Sequence, residues 1–444
     1  MLEDIHPVCV GRRWTGRAKF LPVFGGLVAG TILTGASAHA QEALFSALSQ
    51  DSLSSPTNTP AALSPEQPHL GPVQLTLGAY TGVEANDNIN TSQFSSQSDV
   101  ILHAGLNLGF IWPATEQSEL DFYTSAGYGK YLEHPSNDRF EVDPGSALSW
   151  NISFEDGTLT FFDQFSDSQS VISEASVTGL SKLPRIDNTA GTRADWQPGR
   201  WLFELGYSHD TYFSDDATYE YLNRNSEYFF LRAGHLLAED TQLGLEASAS
   251  LTRYQIPIQS NNTSYSLGPY FNWQITDHLN ASARGGYTIY VFDANGANQP
   301  AQNLDSYYAS LTLTHQLTEF VSQKLSIERD ISLGLGEGNN YTEQLTVNYG
   351  VSWAATTHLG LSLNLNYADG SQPLTTQTYV PFYGFVSYIE NENYSRVGIN
   401  PGISYQFTEK LSGSLIYGYW TRTSNLFGNS YQDNDLTLQL NYSF

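Results

Sequence analysis

Glu141, Asp187, Arg193, Glu204, Arg232, Glu246, Arg284, Glu328 and Arg396 stand on the polar side of runs in which apolar and polar residues alternate. Asp143, Asp195, Asp210 and Asp330 have the same parity. In a strand, residues i and i+2 share a face, so these charges gather opposite an apolar surface. Both signs occur. Such a set can line an aqueous bore and impose a field across it, or it can fill the bore as a plug of ion pairs. Lipid is excluded as their neighbour, because an arginine at mid-bilayer would cost about 2–4 kcal/mol.

Catalysis would need a convergent acid, base or nucleophile. The chain has no Gly-x-Ser-x-Gly elbow, no His-Glu-x-x-His and no Cys or His ligand pair. His103, His134, His209, His235, His278, His315 and His358 are scattered one to a segment, and the last three fall at or near turns. Gly334-Leu335-Gly336-Glu337-Gly338 is followed by no Lys-Ser/Thr pair and reads as an outer loop rather than a phosphate cradle. Asp293-Ala294-Asn295-Gly296 and Asp433-Asn434-Asp435 lack the full oxygen set calcium demands. The expectation is a protein that is not an enzyme and uses neither cofactor nor metal.

The elements that carry the charges are strands. Leu243, Leu245, Ala247, Ala249 and Leu251 share a face opposite Gln242, Gly244, Glu246, Ser248 and Ser250. The same alternation runs through Leu359–Tyr367 and Leu267–Ile275, where helical spacing fails. Short turns fall near Pro113-Ala114-Thr115, Glu155-Asp156-Gly157, Gln197-Pro198-Gly199, Ala238-Glu239-Asp240, Thr276-Asp277-His278, Leu317-Thr318-Glu319, Ala355-Thr356-Thr357 and Thr408-Glu409-Lys410. Between them lie longer connections rich in Asn, Ser, Gly and Asp, at 85–97, 132–138, 169–184, 214–224, 256–262, 292–303, 332–340, 370–392 and 424–432.

Alternating short and long connections predict an all-β, antiparallel up-and-down transmembrane barrel of about eighteen strands, long loops outside and short turns in the periplasm. Sixteen strands result if one hairpin is a loop. A soluble sandwich or propeller would not sort its turns by length in this way. At eighteen strands an aqueous channel is the geometric expectation. Loop 169–184 is mildly apolar (Val171, Ile172, Val177, Leu180) and would narrow the bore if it folded inward. Loop 370–392 carries Tyr379, Phe382, Tyr383, Phe385 and Tyr388, which either stack on sugar rings or extend a hairpin above the membrane.

Composition agrees. The 28 Tyr, 23 Phe and 8 Trp suffice for aromatic girdles at both interfaces. A mean hydropathy of −0.31 does not contradict membrane residence, since only alternate residues of a barrel strand meet lipid. The formal net charge of −26 excludes nucleic acid as a partner. It attracts cations within about 8 Å at physiological salt.

Arg12, Arg13, Arg17 and Lys19 precede an apolar stretch from Phe20 to Leu33, and Ala38-His39-Ala40 fits a cleavage site. Residues 1–40 are therefore expected to be an export signal. The Arg12-Arg13 pair hints at the twin-arginine route, although the residues after it fit poorly. Cys9, the sole cysteine, falls inside the signal. Residues 41–71 read as a flexible periplasmic lead-in with a short helix near Ala43–Leu48, and 72–444 as the barrel.

At the C-terminus Leu436, Leu438, Leu440, Tyr442 and Phe444 share one face. This strand resembles the signal by which outer-membrane barrels are recognised, with Leu440, Tyr442 and Phe444 as its core. Tyr80-Thr81-Gly82-Val83-Glu84-Ala85-Asn86-Asp87-Asn88-Ile89, followed by Ser98-Asp99-Val100, resembles the opening of the outer-membrane β-barrel porins of the second type. The resemblance implies residence in the cell outer membrane of a Gram-negative bacterium, contact with its lipids, dependence on the barrel-assembly machinery and a pore. Some relatives sit near exopolysaccharide export systems. The expected function is thus a porin-like passive channel for small hydrophilic solutes. The alternative is a barrel serving a surface polysaccharide system or a structural outer-membrane protein.

Overall fold

Alternating side chains can satisfy lipid and water at once only if the strands close on themselves, because an open edge would leave backbone N–H and C=O groups unpaired in hydrocarbon. A computed structural model describes residues 68–296, 303–380 and 384–444, the side chains of 375–380 and 384–387 excepted. The expected export signal, the helix near Ala43–Leu48 and the lead-in up to residue 67 lie outside the described residues.

The strands run β1 (Val73–Asn86), β2 (Asp99–Thr115), β3 (Ser118–Tyr131), β4 (Arg139–Val142 and Ala147–Phe154), β5 (Gly157–Ser168) and β6 (Arg185–Trp196). Next come β7 (Trp201–Phe213), β8 (Arg224–Ala238), β9 (Thr241–Tyr254), β10 (Asn262–Thr276), β11 (Leu279–Phe292) and β12 (Leu304–Thr318). The last are β13 (Val321–Leu333), β14 (Tyr341–Ala354), β15 (Leu359–Val380), β16 (Gly384–Gln406), β17 (Leu411–Ser424) and β18 (Tyr431–Ser443). Each pairs antiparallel with its chain neighbours, and β1 meets β18 from Gly78↔Ser443 to Asn86↔Asp435. The result is a closed eighteen-stranded barrel. The count of sixteen is set aside.

Seven of the eight short turns include residues that turn chemistry named; the first falls at residues 116–117, just past Pro113-Ala114-Thr115, which still belong to β2. The stretch 370–392, assigned to a long connection, is mostly ladder: β15 and β16 pair from Leu359↔Tyr405 to Val380↔Gly384. That is the extended-hairpin alternative, in strands of 22 and 23 residues where a span needs about 9–11. Of its aromatics, Tyr388 is exposed; Tyr379, Phe382, Tyr383 and Phe385 fall outside the described side chains. Asp143, expected on a strand, lies in the turn that interrupts β4, where its Oδ1 accepts from the Gly145 N–H at 2.7 Å.

The two faces differ sharply. Leu205 and Leu267 point outward, 61% and 60% exposed, while Ser208 and Glu246 on the inner face are 0% and 1% exposed. Apolar side chains that water would reject are therefore on the outside, as a lipid-facing belt requires. Outward Trp112, Trp150, Trp196, Trp201, Trp273 and Trp353 are exposed at the turn end. Tyr128, Tyr207, Tyr265, Tyr287, Tyr307, Tyr367 and Tyr417 are exposed nearer the loop end. These two girdles mark the interfaces. No helix among the described residues is long and apolar enough to cross a membrane; the strands do so.

Proline interrupts the wall twice. Pairing of β10 with β11 skips from Leu267↔Tyr287 to Tyr270↔Arg284, and that of β16 with β17 from Ile399↔Tyr419 to Gly402↔Ile416. Pro269 and Pro401, which have no N–H to donate, sit in the gaps. At the first gap the strands approach so closely that a Cβ on Gly268 would collide with the Gly285 carbonyl oxygen and lie 2.6 Å from Gly286 Cα. Gly268→Ala is expected to destabilise the barrel by about 1–3 kcal/mol, the usual penalty of overpacking. Urea titration of the folded, heat-modifiable band on cold electrophoresis measures it. An unchanged midpoint would mean the gap can widen without penalty.

Candidate functional site

The lumen is where charge, hydrogen bonding and space converge. Loop 169–184 leaves β5, crosses the interior and docks on strands beyond the β1–β18 closure. Arg396 Nη1 donates to the Ile172 carbonyl at 2.5 Å, Arg422 Nε to that of Ala175 at 2.9 Å, and Gln372 Nε2 to that of Ser176 at 2.8 Å. Nearer the closure, Thr178 Oγ1 and the Gly179 N–H donate to the Thr91 carbonyl at 2.9 and 3.2 Å. Thr91 holds a φ of +44° there, a left-handed backbone that threonine adopts only under such constraint. At the other end Arg185 Nη1 donates to the Ser170 carbonyl at 2.9 Å, and Nη2 to Ser173 Oγ at 3.1 Å.

The loop's apolar residues explain why it turns inward. Val171, Val177 and Leu183 are buried with Tyr212, Tyr219 and Leu222, and Leu180, Tyr221 and Leu335 pack against them. Tyr219 and Leu222 come from the connection after β7, which forms a short helical turn, Ala217–Leu222. The Thr218 N–H donates to Asp216 Oδ1 at 2.9 Å, and this bond holds the Asp216 carboxyl below its ordinary range. Leu335 belongs to the glycine-rich connection 334–340, which also turns inward: Gln259 Nε2 donates to the carbonyls of Gly336 and Asn339 at 2.8 and 2.9 Å. Three outer connections thus narrow the loop end of the bore.

The charged residues singled out by parity lie on the inner face and are largely paired. Arg193 Nε is 2.8 Å from Asp195 Oδ2. Arg232 joins Glu204 at 3.2 Å and Glu246 at 2.9 Å, with its guanidinium 4.4 Å from the Tyr270 ring centroid. Tyr308 Oη donates to Glu246 Oε1 at 3.0 Å, and Arg284 meets Glu328 at 2.9 Å. Asp210 accepts from Thr189 Oγ1 at 2.9 Å, and Glu141 from the Gln169 N–H at 3.2 Å. Asp187 lies 4.0 Å from Arg185, and Asp330 on β13 pairs across the ladder with Gln344. The charges do not form one ring. Arg396 belongs to the loop anchor, whereas Glu204, Arg232, Arg284 and Glu328 line a cavity of about 1180 Å³ at the turn end.

Several inner residues escaped sequence reasoning. Arg422 and Glu392 form an ion pair at 2.9 Å with both side chains 0% exposed. Glu392 also accepts from Gln372 Nε2 and Ser424 Oγ at 2.7 Å each. Arg224 stacks 4.0 Å from the Tyr212 ring centroid, and His103 Nε2 lies 3.0 Å from Glu84. Parity alone would have found Arg422, two positions beyond inward Trp420. Glu392 and Gln372 were hidden because they fell inside a stretch assigned to a loop. Asp433 and Asp435 share the inner face of β18, with no convergent group of three or more metal-ligating His, Cys, Asp or Glu side chains among the described residues.

No protein-family model matches the chain, and no curated protein does. Solved structures to which it is similar include Pseudomonas aeruginosa OpdQ, at 12% identity over 84% of this chain and 98% of that one, TM-score 0.46. Others are the outer membrane protein OpdK of P. aeruginosa (11% identity, 84% and 99% coverage, TM-score 0.45) and Acinetobacter baumannii OccAB3 (11%, 84% and 99%, TM-score 0.44).

Proposed function

We propose that this barrel is a passive outer-membrane channel for small hydrophilic solutes. The carrying observation is a polar inner wall around a cavity of about 1180 Å³, inside a cylinder whose exterior suits only lipid. Hydroxyls and amides fill the wall between the ion pairs: Ser248 and Ser266 lie 2.8 Å apart, Ser250 and Ser264 2.7 Å, and Ser282 Oγ donates to Asn272 Oδ1 at 2.7 Å. Such groups exchange hydrogen bonds with passing solutes at little net cost. Selectivity comes from bore width and inward charge. Leu440 and Tyr442, exposed on the outer face of β18, and the exposed Phe444 just after it offer the assembly machinery its recognition strand.

Refolded protein added to a planar bilayer is expected to give discrete conductance steps. Barrel that is folded by the heat-modifiability test yet leaves the bilayer silent would remove this reading.

A further inference from the structure

We propose that the outward face of β5 and β6 is where a second copy of this chain docks within the membrane. The inference concerns the outside of the wall and stands whether or not the lumen conducts.

The first ground is a carboxylate facing hydrocarbon. Asp163 lies midway along β5 and points outward, exposed, between Phe161 and Phe165. Its partners across the ladder, Leu148 on β4 and Ala190 on β6, face outward with it. Asp163 Oδ1 accepts from Asn188 Nδ2 at 2.5 Å, and Oδ2 has no hydrogen bond among the described residues. The Asn188 amide is already shared, since it also donates to the Gln164 carbonyl at 3.2 Å. Lipid chains offer no donor, and an ionisable group among them is costly. Glu227, Glu343 and Asp369 also face outward, but they belong to the loop-end girdle. Glu227 accepts from Tyr207 Oη at 2.6 Å and Asp369 from Tyr367 Oη at 3.4 Å. Glu343 lies 2.9 Å from Arg329, which stacks on Tyr307. Asp163 sits among apolar neighbours instead.

Shape is the second ground, and it points to a copy rather than to another protein. On β6, outward Ala190, Thr192 and Ala194 make a furrow between exposed Phe161 and Phe165 on β5 and exposed Phe203 and Tyr207 on β7. Small outward residues let two walls approach closely. A two-fold axis along the membrane normal sets the phenyl row of each copy into the furrow of the other, the self-matching that an isologous contact requires. The same rotation carries Thr192, two residues from Ala190 on the turn side, toward Asp163 of the other copy. Each hydroxyl then donates to the unmatched Oδ2 across the axis. Acid, donor, ridge and furrow all lie on one patch.

Light scattering in dodecyl maltoside, on protein shown to be folded by heat-modifiability, is expected to give twice the monomer mass. Ala190→Phe, which fills the furrow, is expected to be monomeric, and Ala247→Phe, on the outward face of β9, to stay dimeric. Thr192→Val keeps the shape and removes the donor; it is expected to raise the dimer dissociation constant about tenfold, as loss of a hydrogen bond to a charged group does. Since a filled furrow could also disturb folding, a thiol probes the same contact more gently. In phosphatidylcholine vesicles a short bismaleimide is expected to link two chains of Cys9→Ser/Ala190→Cys and not of Cys9→Ser/Ala247→Cys. Wild-type protein that stays monomeric at every concentration in detergent and in vesicles would overturn the proposal. So would a dimer unaltered in Ala190→Phe, one as tight in Thr192→Val as in wild type, or equal linkage at positions 190 and 247.

Discussion

Arg422→Ala is expected to unlatch loop 169–184 and raise single-channel conductance. Arg422 reaches the loop through the Ala175 carbonyl at 2.9 Å, binds Glu392 at 2.9 Å, donates to the Asn429 carbonyl and lies 4.4 Å from the Tyr394 ring centroid. Truncation removes all of these and strands a fully buried carboxylate with only neutral donors. Breaking a buried pair from one side costs about 3–5 kcal/mol. The ladder of β15 to β17 does not depend on that side chain, so the penalty should appear as local opening rather than loss of the barrel. An opening free energy lowered by about 3 kcal/mol speeds hydrogen exchange of the loop amides roughly a hundredfold. Removing both charges, in Glu392→Gln/Arg422→Met, should recover part of the loss, since no unpaired buried ion remains. Exchange at residues 171–178 and conductance in the same preparations decide it. Unchanged exchange in Arg422→Ala would show that Arg396, Gln372 and Thr91 hold the loop unaided.

That latch also marks the boundary of what the amino-acid order reveals. Strand parity and turn chemistry are local, and they locate seven of the eight short turns to the residue and the first to within one or two, together with the outer faces and many of the inward charges. The apolar character of Val171 and Val177 is local too: an outer loop with such residues needs something to bury them. What they bury against is set by closure. Gln372 Nε2 donates to the Ser176 carbonyl across 196 residues and Arg422 Nε to that of Ala175 across 247, and neither meeting exists until β1 pairs with β18. Pairing partners were hidden for a related reason. Arg232 sits directly across the ladder from Glu204 on one side and Glu246 on the other, an arrangement that depends on register in two hairpins at once. An inward arginine could therefore be read as pore lining, while its neutralisation by two carboxylates could not. The break in β4 likewise put Asp143 in a turn that alternation carried straight through.

Leu267→Arg should destabilise the barrel by about 2–4 kcal/mol in phospholipid vesicles, whereas Thr312→Arg should cost under about 1 kcal/mol. Leu267 is 60% exposed on the outer face midway along β10, opposite Ala247 and Tyr287 on the flanking strands. A guanidinium there must reach an interface along its own aliphatic stem or drag water into hydrocarbon. Thr312 lines the cavity at the turn end, where an arginine finds solvent and acidic neighbours. The two substitutions introduce the same side chain, so its intrinsic strand propensity and entropy largely cancel in the comparison. What remains is the medium each face meets. Tryptophan fluorescence during guanidinium unfolding from vesicles reports the difference, because Trp273 lies on the same outer face of β10 as Leu267. Equal penalties at the two sites would mean that lipid does not contact the outer face, and the polar interior would then lose its meaning as a conduit.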